Sequence, residues 1–361
     1  MKKKLLYVMH SLVTGGVEMA VLSAIPLLDK YFDLRVLILG RADSRLVNLL
    51  DRRQQSLLTI VPHPAYTYPF RMHEIQRRID NFCPDILVSS LWRSAWVAYR
   101  YKKRNPQVKW YCFLHNTHFF HLPDRFFNLR ALQHGEVVLT DSQATRAFVQ
   151  GLLKKSKPIQ VLPMLLHSSS EMLSIRTPQV HDCLRFVFMG RIHGQKQIPK
   201  AISFLAKLKA EGFTVQFDIF GRPDGDEDQV RKSIVTHQLE QEVRFCGELT
   251  GINHKLLTNY HFYLQFSRAE GMAMSVVEAM QQGLVCLVTP VGEIAHYSKH
   301  GVSALWLQNE DQHQLVEEVK ALVKHPEKYK AMAQQAYLQF KGQPSFAESL
   351  VQVIQGEIFH N

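Results

Sequence analysis

Apolar runs of about four to six residues recur along the chain, and each is followed by a polar stretch. Leu5-Leu6-Tyr7-Val8-Met9 reads as a buried strand, after which the polar loop His10 to Gly16 opens a helical stretch over 17–28. Further strands are predicted at 35–39, 57–61, 86–89, 110–114, 137–140 and 159–162, with a helix over 92–103 behind the fourth strand of the series. Short apolar strands that alternate with helices need long crossovers, and right-handed crossovers build a mostly parallel sheet covered by helices. Ligands of such sheets bind at the C-terminal ends of the strands.

The pattern pauses in a polar segment, Ser168-Ser169-Ser170 through Thr177-Pro178-Gln179, which reads as a hinge, and then restarts. Strands are predicted at 184–189, 215–220, 243–245, 262–266 and 285–289, and helices at 199–210, 228–239, 275–282, 312–324 and 327–339. A break follows at Gly342-Gln343-Pro344. Two successive α/β domains result, over 1–170 and 171–344, and a length of 361 residues accommodates them. The repetition is architectural, with no sequence repeat of fixed period.

Composition narrows the class. The chain is 46% apolar and 21% charged, as soluble globular proteins are, and no run approaches the roughly twenty apolar residues of a membrane span. Met1-Lys2-Lys3-Lys4 runs straight into a strand rather than into a signal-peptide core, so a cytoplasmic location is expected. Cys83, Cys112, Cys183, Cys246 and Cys286 are scattered singly, without metal-ligand spacing, and are expected to be buried thiols. The net charge of +11 is uneven: residues 1–175 hold 24 Lys or Arg against 12 Asp or Glu, whereas residues 176–361 hold 19 against 20. The basic first half fits either a solvated face or an anionic partner, a lipid surface or a nucleic acid.

Two segments about eighty residues apart carry the sharpest chemistry. Gly190-Arg191-Ile192-His193-Gly194-Gln195-Lys196 leaves a predicted strand with two long cations. A guanidinium can fork onto two phosphate oxygens, and a lysine can neutralise the remainder as a mobile point charge. Glu270-Gly271-Met272-Ala273-Met274-Ser275-Val276-Val277-Glu278 follows another strand and opens a helix. Amides at that helix start can receive phosphate oxygens, and a carboxylate can bind paired hydroxyls. Glu278 stands in an otherwise apolar stretch, where an unpaired carboxylate is costly. Together these groups suit a ligand that has both a diphosphate and a hydroxyl-rich part, as a nucleotide-sugar does.

Three further segments lie in the first half. Thr14-Gly15-Gly16-Val17-Glu18 joins the first strand to the first helix, and its glycines fit either a tight turn or close approach by a ligand. His115, in Phe113-Leu114-His115-Asn116-Thr117-His118, is expected at the mouth of a cleft, with Asn116 and His118 as weaker acceptor-side candidates. The run 119–132 interleaves aromatic residues with Arg125 and Arg130, which suits core packing or a membrane interface.

The arrangement resembles the retaining two-domain glycosyltransferases, family 4-like or group 1, of bacterial cell-surface polysaccharide and lipopolysaccharide assembly. The resemblance is carried by Gly15-Gly16, His115, the turn Gly190 to Lys196, the pair Glu270 and Glu278, and the segment Gly283 to Gly292. It implies a GT-B fold, two Rossmann-like domains facing across a deep cleft, with a terminal helix in 345–361 crossing back to the first domain. It further implies that Arg191 and Lys196 neutralise the donor diphosphate, Glu278 binds the nucleotide ribose and Glu270 contacts the donor sugar. Gly190 and the backbone of Gly271, Met272, Ala273 and Met274 would lie along the donor. Gly15 and Gly16 would approach it from the other domain, and His115 would orient the sugar. A UDP- or GDP-sugar is the implied donor, a lipid-linked glycan or lipopolysaccharide-type molecule the acceptor and the inner membrane face an anionic partner. No metal or other cofactor is implied, because cations and helix-end amides take that part.

The chain departs from the family pattern at three points. Met272-Ala273 lacks a second glycine, Phe266-Ser267 lacks a proline, and Gln197 stands where a glycine often follows the lysine. Two other functions fit parts of the sequence. A GT-B-like nucleotide-sugar epimerase or hydrolase would share the diphosphate site and need no acceptor. A nucleic-acid-binding protein would use the basic first half, but zinc-finger, RNP and homeodomain patterns are all missing, and nucleic acid is not an expected partner.

Overall fold

The computed structural model describes residues 2–13, 15–153, 156–167, 176–249 and 254–356. The chain forms two compact units, residues 1–167 with 344–361, and residues 168–343. Residues 168–175 of the predicted hinge at 168–179 lie outside the described residues, as do Thr14 and the last five residues of the terminal segment.

The first unit runs β1 (Lys4–Met9), α1 (Gly16–Tyr31), β2 (Asp33–Ile38), α2 (Ser44–Val47), α3 (Arg52–Ser56), β3 (Leu58–Ile60), α4 (Tyr68–Phe82), β4 (Ile86–Ser90), α5 (Trp92–Arg104), β5 (Lys109–Leu114), α6 (Leu122–His134), β6 (Val137–Thr140), α7 (Gln143–Leu152) and β7 (Ile159–Val161). Its seven strands are all parallel in the order β3-β2-β1-β4-β5-β6-β7. Strands such as Lys4–Met9 and Ile86–Ser90 read as near-continuous apolar runs because helices cover both faces of the sheet.

The second unit runs β8 (Leu184–Met189), α8 (Ile198–Ala210), β9 (Val215–Phe220), α9 (Glu227–Thr236), β10 (Val243–Phe245), α10 (His254–Leu257), β11 (Phe262–Gln265), α11 (Met274–Gln281), β12 (Val285–Val288), α12 (Ile294–Tyr297), β13 (Ala304–Trp306), α13 (Gln312–Lys324) and α14 (Pro326–Leu338). Its six parallel strands follow the order β10-β9-β8-β11-β12-β13. Phe186, Phe204, Phe217, Phe262 and Phe266 form the centre of its core, with the Phe186 and Phe262 rings stacked at 5.2 Å.

Both predicted βα series are present, and the architecture is the expected α/β fold of two parallel sheets flanked by helices. The pattern reading did not resolve α4, where Pro69 and a polar composition mask apolar contacts at Met72, Ile75 and Ile79, nor the three-residue β13. The cysteine expectation needs correction. Cys112 and Cys286 are buried, but Cys183 is half-buried and Cys83 and Cys246 are exposed, because the latter three lie at element ends rather than inside strands.

After α14 the chain returns to the first unit as α15 (Phe346–Gln355). Ser345 and Glu348 form a capping box that starts the helix, and Gly356 ends it in the left-handed conformation at φ 84°. The Phe346 amide donates to the Leu165 carbonyl at 2.7 Å, its ring lies 5.9 Å from that of Phe113, and α15 packs along α1. Leu350 is fully buried there, so Leu350→Ala should cost the first unit about 2–5 kcal/mol through lost transfer energy and a residual cavity. Urea unfolding monitored by amide exchange in α1 checks this; an unchanged midpoint would mean that α15 contributes nothing to that core.

Candidate functional site

In each sheet the strand order reverses at one point, between β1 and β4 in the first and between β8 and β11 in the second. Crossovers leave such a point in opposite directions, so the loops beyond the two strand ends part and open a crevice. The two chemistry-bearing segments of the second unit, Gly190 to Lys196 and Ser267 to Met274, are the loops that follow β8 and β11.

The basic turn is built by close backbone packing. A Cβ at Gly221 would come 1.7 Å from the Gly190 carbonyl oxygen, so the exits of β8 and β9 can touch only with glycine at 221. Beyond Gly190, Asp226 accepts from the Gly194 amide at 2.5 Å and the His193 ring accepts from the Gln195 amide at 3.2 Å. These side chains cap the single helical turn Gly194–Lys196 and hold the Lys196 backbone in place. The acidic loop is tied to it: the Arg268 amide donates to Gln195 O at 2.8 Å and the Gln195 side chain to Ala269 O at 2.6 Å.

Lys196 Nζ lies 2.7 Å from Glu270 Oε1, and both side chains are largely buried. Gln265 of β11 donates to the same carboxylate oxygen at 3.0 Å. Tyr263 Oη lies 2.8 Å from Gln265 Oε1 and 2.8 Å from Ser275 Oγ, which links Glu270 to the first turn of α11. Across the loop, a Cβ at Gly292 would stand 2.1 Å from the Glu270 carbonyl oxygen, and the Glu293 amide donates to Gly271 O at 3.1 Å. Gly271 itself has open space beside it, so its backbone stays accessible. Ala273 begins α11 in the left-handed region at φ 50°, and no side chain caps that helix. The first amides of α11, those of Met274 and Ser275, therefore lie at the crevice end of the sheet without a side-chain cap.

Arg191 and Glu278 behave differently. Arg191 is exposed and pairs with Asp224 at 2.8 Å. Glu278, half-buried in α11, makes no hydrogen bond or ion pair among the described residues, and burial pushes its carboxyl up to about 7. The structure thus brings Gly190, Lys196, Glu270, Gly271, Met272, Ala273, Met274 and Glu278 to one end of the second sheet, with Arg191 turned outward at its rim.

In the first unit, Gly15 is the extended cap of α1, and a Cβ there would lie 2.5 Å from Glu18 Oε2. The Glu18 carboxylate therefore folds back over the Gly15-Gly16 turn at the positive end of the helix. His115 follows β5 with its ring buried: Nε2 is 2.7 Å from Ser90 Oγ, and Nδ1 faces Asp141 at 3.5 Å. With Asn116, His118 and Asp124 it lines a cavity of about 20 Å³, room for about one water molecule. Among the described residues no group of three or more His, Cys, Asp or Glu is arranged to hold a metal ion, and no helix is long and apolar enough to cross a membrane.

Solved structures share this architecture along nearly the whole chain. Anabaena HepE, in a crystal structure with UDP-glucose, superposes with a TM-score of 0.78 at 16% identity over 98% of this chain and 99% of that one. The pneumococcal O-GlcNAc transferase GtfA, solved with UDP and GlcNAc, gives 0.78 at 10% identity over 98% and 99%. The apo form of the lipopolysaccharide outer core galactosyltransferase WaaB gives 0.70 at 14% identity over 98% and 100%. This chain has the GT-B fold. Within it, residues 176–339 match the family model for glycosyl transferases group 1, a segment that holds the whole crevice end of the second sheet. No curated protein matches the chain.

Sequence reading found the groups on this GT-B scaffold that bear charge but missed those that position them. Asp224, Asp226, Tyr263, Gln265 and Ser90 carry no motif. The one signal available was Gln265, a polar residue inside the apolar run Phe262-Tyr263-Leu264-Gln265-Phe266.

Glu278 makes a prediction about stability. Its ordinary value is 4.5 and its folded value about 7, so between them the folded chain holds a proton that the unfolded chain has released. Stability then falls as pH rises through that window and stays lower above it. Glu278→Gln removes the penalty and should stabilise the second unit by about 1–3 kcal/mol at pH 8, with no gain at pH 4. Denaturant melts at the two pH values measure it, and an equal effect at both would place the cause elsewhere.

Proposed function

We propose that the protein is a retaining glycosyltransferase that moves a hexose or N-acetylhexosamine from a UDP- or GDP-sugar to a lipid-linked glycan or lipopolysaccharide-type acceptor. The observation that carries this reading is the Lys196–Glu270 contact at 2.7 Å, which joins the basic turn to the acidic loop beside the uncapped start of α11. A diphosphate laid against those amides meets the Lys196 ammonium, and Arg191 reaches it by leaving Asp224. Glu278, without a protein partner, accepts from the paired hydroxyls of the ribose, and Glu270 accepts from a sugar hydroxyl while Lys196 holds its charge. The UDP in the HepE and GtfA structures puts uridine donors first in any trial.

In the reaction the bond from the anomeric carbon to the diphosphate breaks and a bond to the acceptor oxygen forms on the same face. The departing phosphate oxygen takes the acceptor's proton, and Lys196 and the α11 amides stabilise the charge that develops on the leaving group. Glu270, held by its ion pair, stabilises positive charge on the sugar without forming a covalent bond to it. His115, fixed between Ser90 and Asp141, shapes a small pocket of the first unit that suits part of an acceptor.

Binding and hydrolysis across UDP-, GDP- and ADP-sugars test the donor site. One nucleotide class should bind selectively, and Arg191→Ala and Glu278→Ala should each weaken it at least about ten-fold, the loss of one charge-assisted contact. A folded chain that binds none of them would remove the transferase reading.

The exposed apolar side chains support docking at a membrane. Tyr66, Phe70, Phe120, Leu122 and Phe126 are 79%, 89%, 65%, 80% and 49% exposed, and all lie before or within the first turns of α4 and α6. Trp96 of α5 joins those helices, stacked on Phe127 at 4.8 Å and lying 5.8 Å from Tyr68. The 119–132 run thus divides, with Phe127 packed inward and Phe120, Leu122 and Phe126 left outward near Arg125 and Arg130. Each large apolar side chain buried at the acyl boundary contributes about 1.5–3 kcal/mol. The double variant Phe70→Ser/Leu122→Ser should therefore lose at least about a hundred-fold in co-sedimentation with anionic vesicles. Retained binding would sink this surface.

A further inference from the structure

The crevice at the strand reversal of the first sheet holds a second cluster, none of whose members takes part in the donor chemistry above. His10 directly follows β1, Leu91 directly follows β4, and Trp92 and Arg93 open α5, so the four residues stand where the chain leaves the two strands that part at the switch point. Trp92 is the hub: its ring lies 6.1 Å from that of His10, 5.1 Å from that of His121, and 5.6 Å from the Arg93 guanidinium carbon. A Cβ at Gly40, beyond β2, would meet His10 O at 2.8 Å and Arg93 Nη1 at 3.6 Å, so glycine there leaves the cluster its room.

A guanidinium and two imidazoles are thus gathered with no ion pair to an acid among the described residues. Arg93 forms no hydrogen bond or ion pair among the described residues, and its Nε is buried without an acceptor. His10 Nδ1 is buried and unpartnered as well, and burial with the charges of Arg93 and His121 pushes that ring down to about 4. His121 accepts the Asp124 amide at Nδ1, at 3.0 Å, which leaves Nε2 as the ring nitrogen not used by that contact. Asp124 is already engaged by the Phe120 amide at 2.9 Å and the Asn128 side chain at 2.7 Å.

The helix that carries Arg93 adds to the imbalance. α5 starts from Leu91, whose φ is positive at 70°, and has no side-chain cap, so its positive end lies beside Arg93 rather than an acid. Ser94 in that first turn is fully buried, and its hydroxyl has no partner. Buried polar groups are nearly always paired, so three unpaired ones together, Arg93 Nε, His10 Nδ1 and Ser94 Oγ, call for a partner such as water or an ion.

We propose that His10, Trp92, Arg93 and His121 form a binding site for a phosphate group, with the guanidinium of Arg93 as the fork. Resting on the transferase reading, this group is the acceptor's, and the site selects phosphorylated acceptors. The chemistry is the same for the phosphate of a lipid headgroup and for that of a soluble sugar phosphate.

The test follows the ring ¹⁵N signals of His10 and His121 while inorganic phosphate is titrated into the full chain. Both signals should shift saturably, and Arg93→Gln should raise the Kd at least ten-fold while Arg93→Lys, which keeps the charge, loses less. Vesicles with phosphatidic acid, set against phosphatidylcholine alone, distinguish the sources: displacement of phosphate by the acidic vesicles assigns a lipid headgroup, and displacement only by glycerol 3-phosphate assigns a soluble acceptor. No saturable shift in the unaltered chain, or the same Kd in Arg93→Gln, overturns the site. Nucleotide-sugar binding, measured on the same variants, should match the unaltered chain. Its absence throughout would remove the transferase reading and leave the phosphate result standing.

Discussion

Reversal of strand order is the constraint on which the rest of the molecule depends. A parallel sheet covered on both faces leaves only its strand ends for chemistry, and among those ends only the switch point has loops that diverge. The β8–β11 boundary gathers Gly190, Lys196, Glu270 and the start of α11 from segments about eighty residues apart. The β1–β4 boundary gathers His10, Arg93 and the Gly15-Gly16 turn in the same way. Each group of residues is local in space because the crossovers are right-handed, and in the second unit also because glycines at 221 and 292 let backbones touch where a Cβ would collide.

Within the second unit the electrostatics are divided by burial. The Lys196–Glu270 pair is shielded, so each charge is held by the other, and removing either alone leaves an uncompensated buried ion at a cost of about 3–5 kcal/mol. Arg191 and Asp224 are exposed, so their pair contributes little to stability and opens readily. Glu278 is the contrasting case, a half-buried carboxylate without a partner among the described residues, held above its ordinary range by burial. A rigid pair, a movable cation and an unsatisfied acceptor suit one ligand that has a charged end and a hydroxylated end.

Much of this was legible in the sequence because it rests on period and on punctuation. Alternating apolar runs gave the strands, and the order of polar turns gave both series. Charged residues with unusual neighbours, Glu278 among them, stood out. Residues that act by placing others did not stand out, since Asp226 caps a turn 32 residues before it and Gln265 reaches Glu270 only across a folded loop. Arg93 was invisible for another reason: in sequence it is one of 24 cations in the basic half, and only the fold removes its possible counterions.

Two departures from the family pattern become informative once the backbone is known. Gln197 and Ala273, where that pattern favours glycine, both sit in the left-handed region at φ 47° and 50°. A side chain in that region costs about 1–2 kcal/mol relative to the right-handed form, so the fold retains the glycine geometry without the glycine. One position follows Lys196 and the other immediately precedes α11, on the two sides of the Lys196–Glu270 pair. If either relaxed to a right-handed conformation, the basic turn or the helix start would swing away from the crevice. The backbone there is thus fixed by the pair, the Gln195 contacts and Gly292 rather than by local preference, and strain of this kind persists only where surrounding contacts over-determine it. The substituted side chains change the shape of the crevice wall while leaving its charges where the fold requires them.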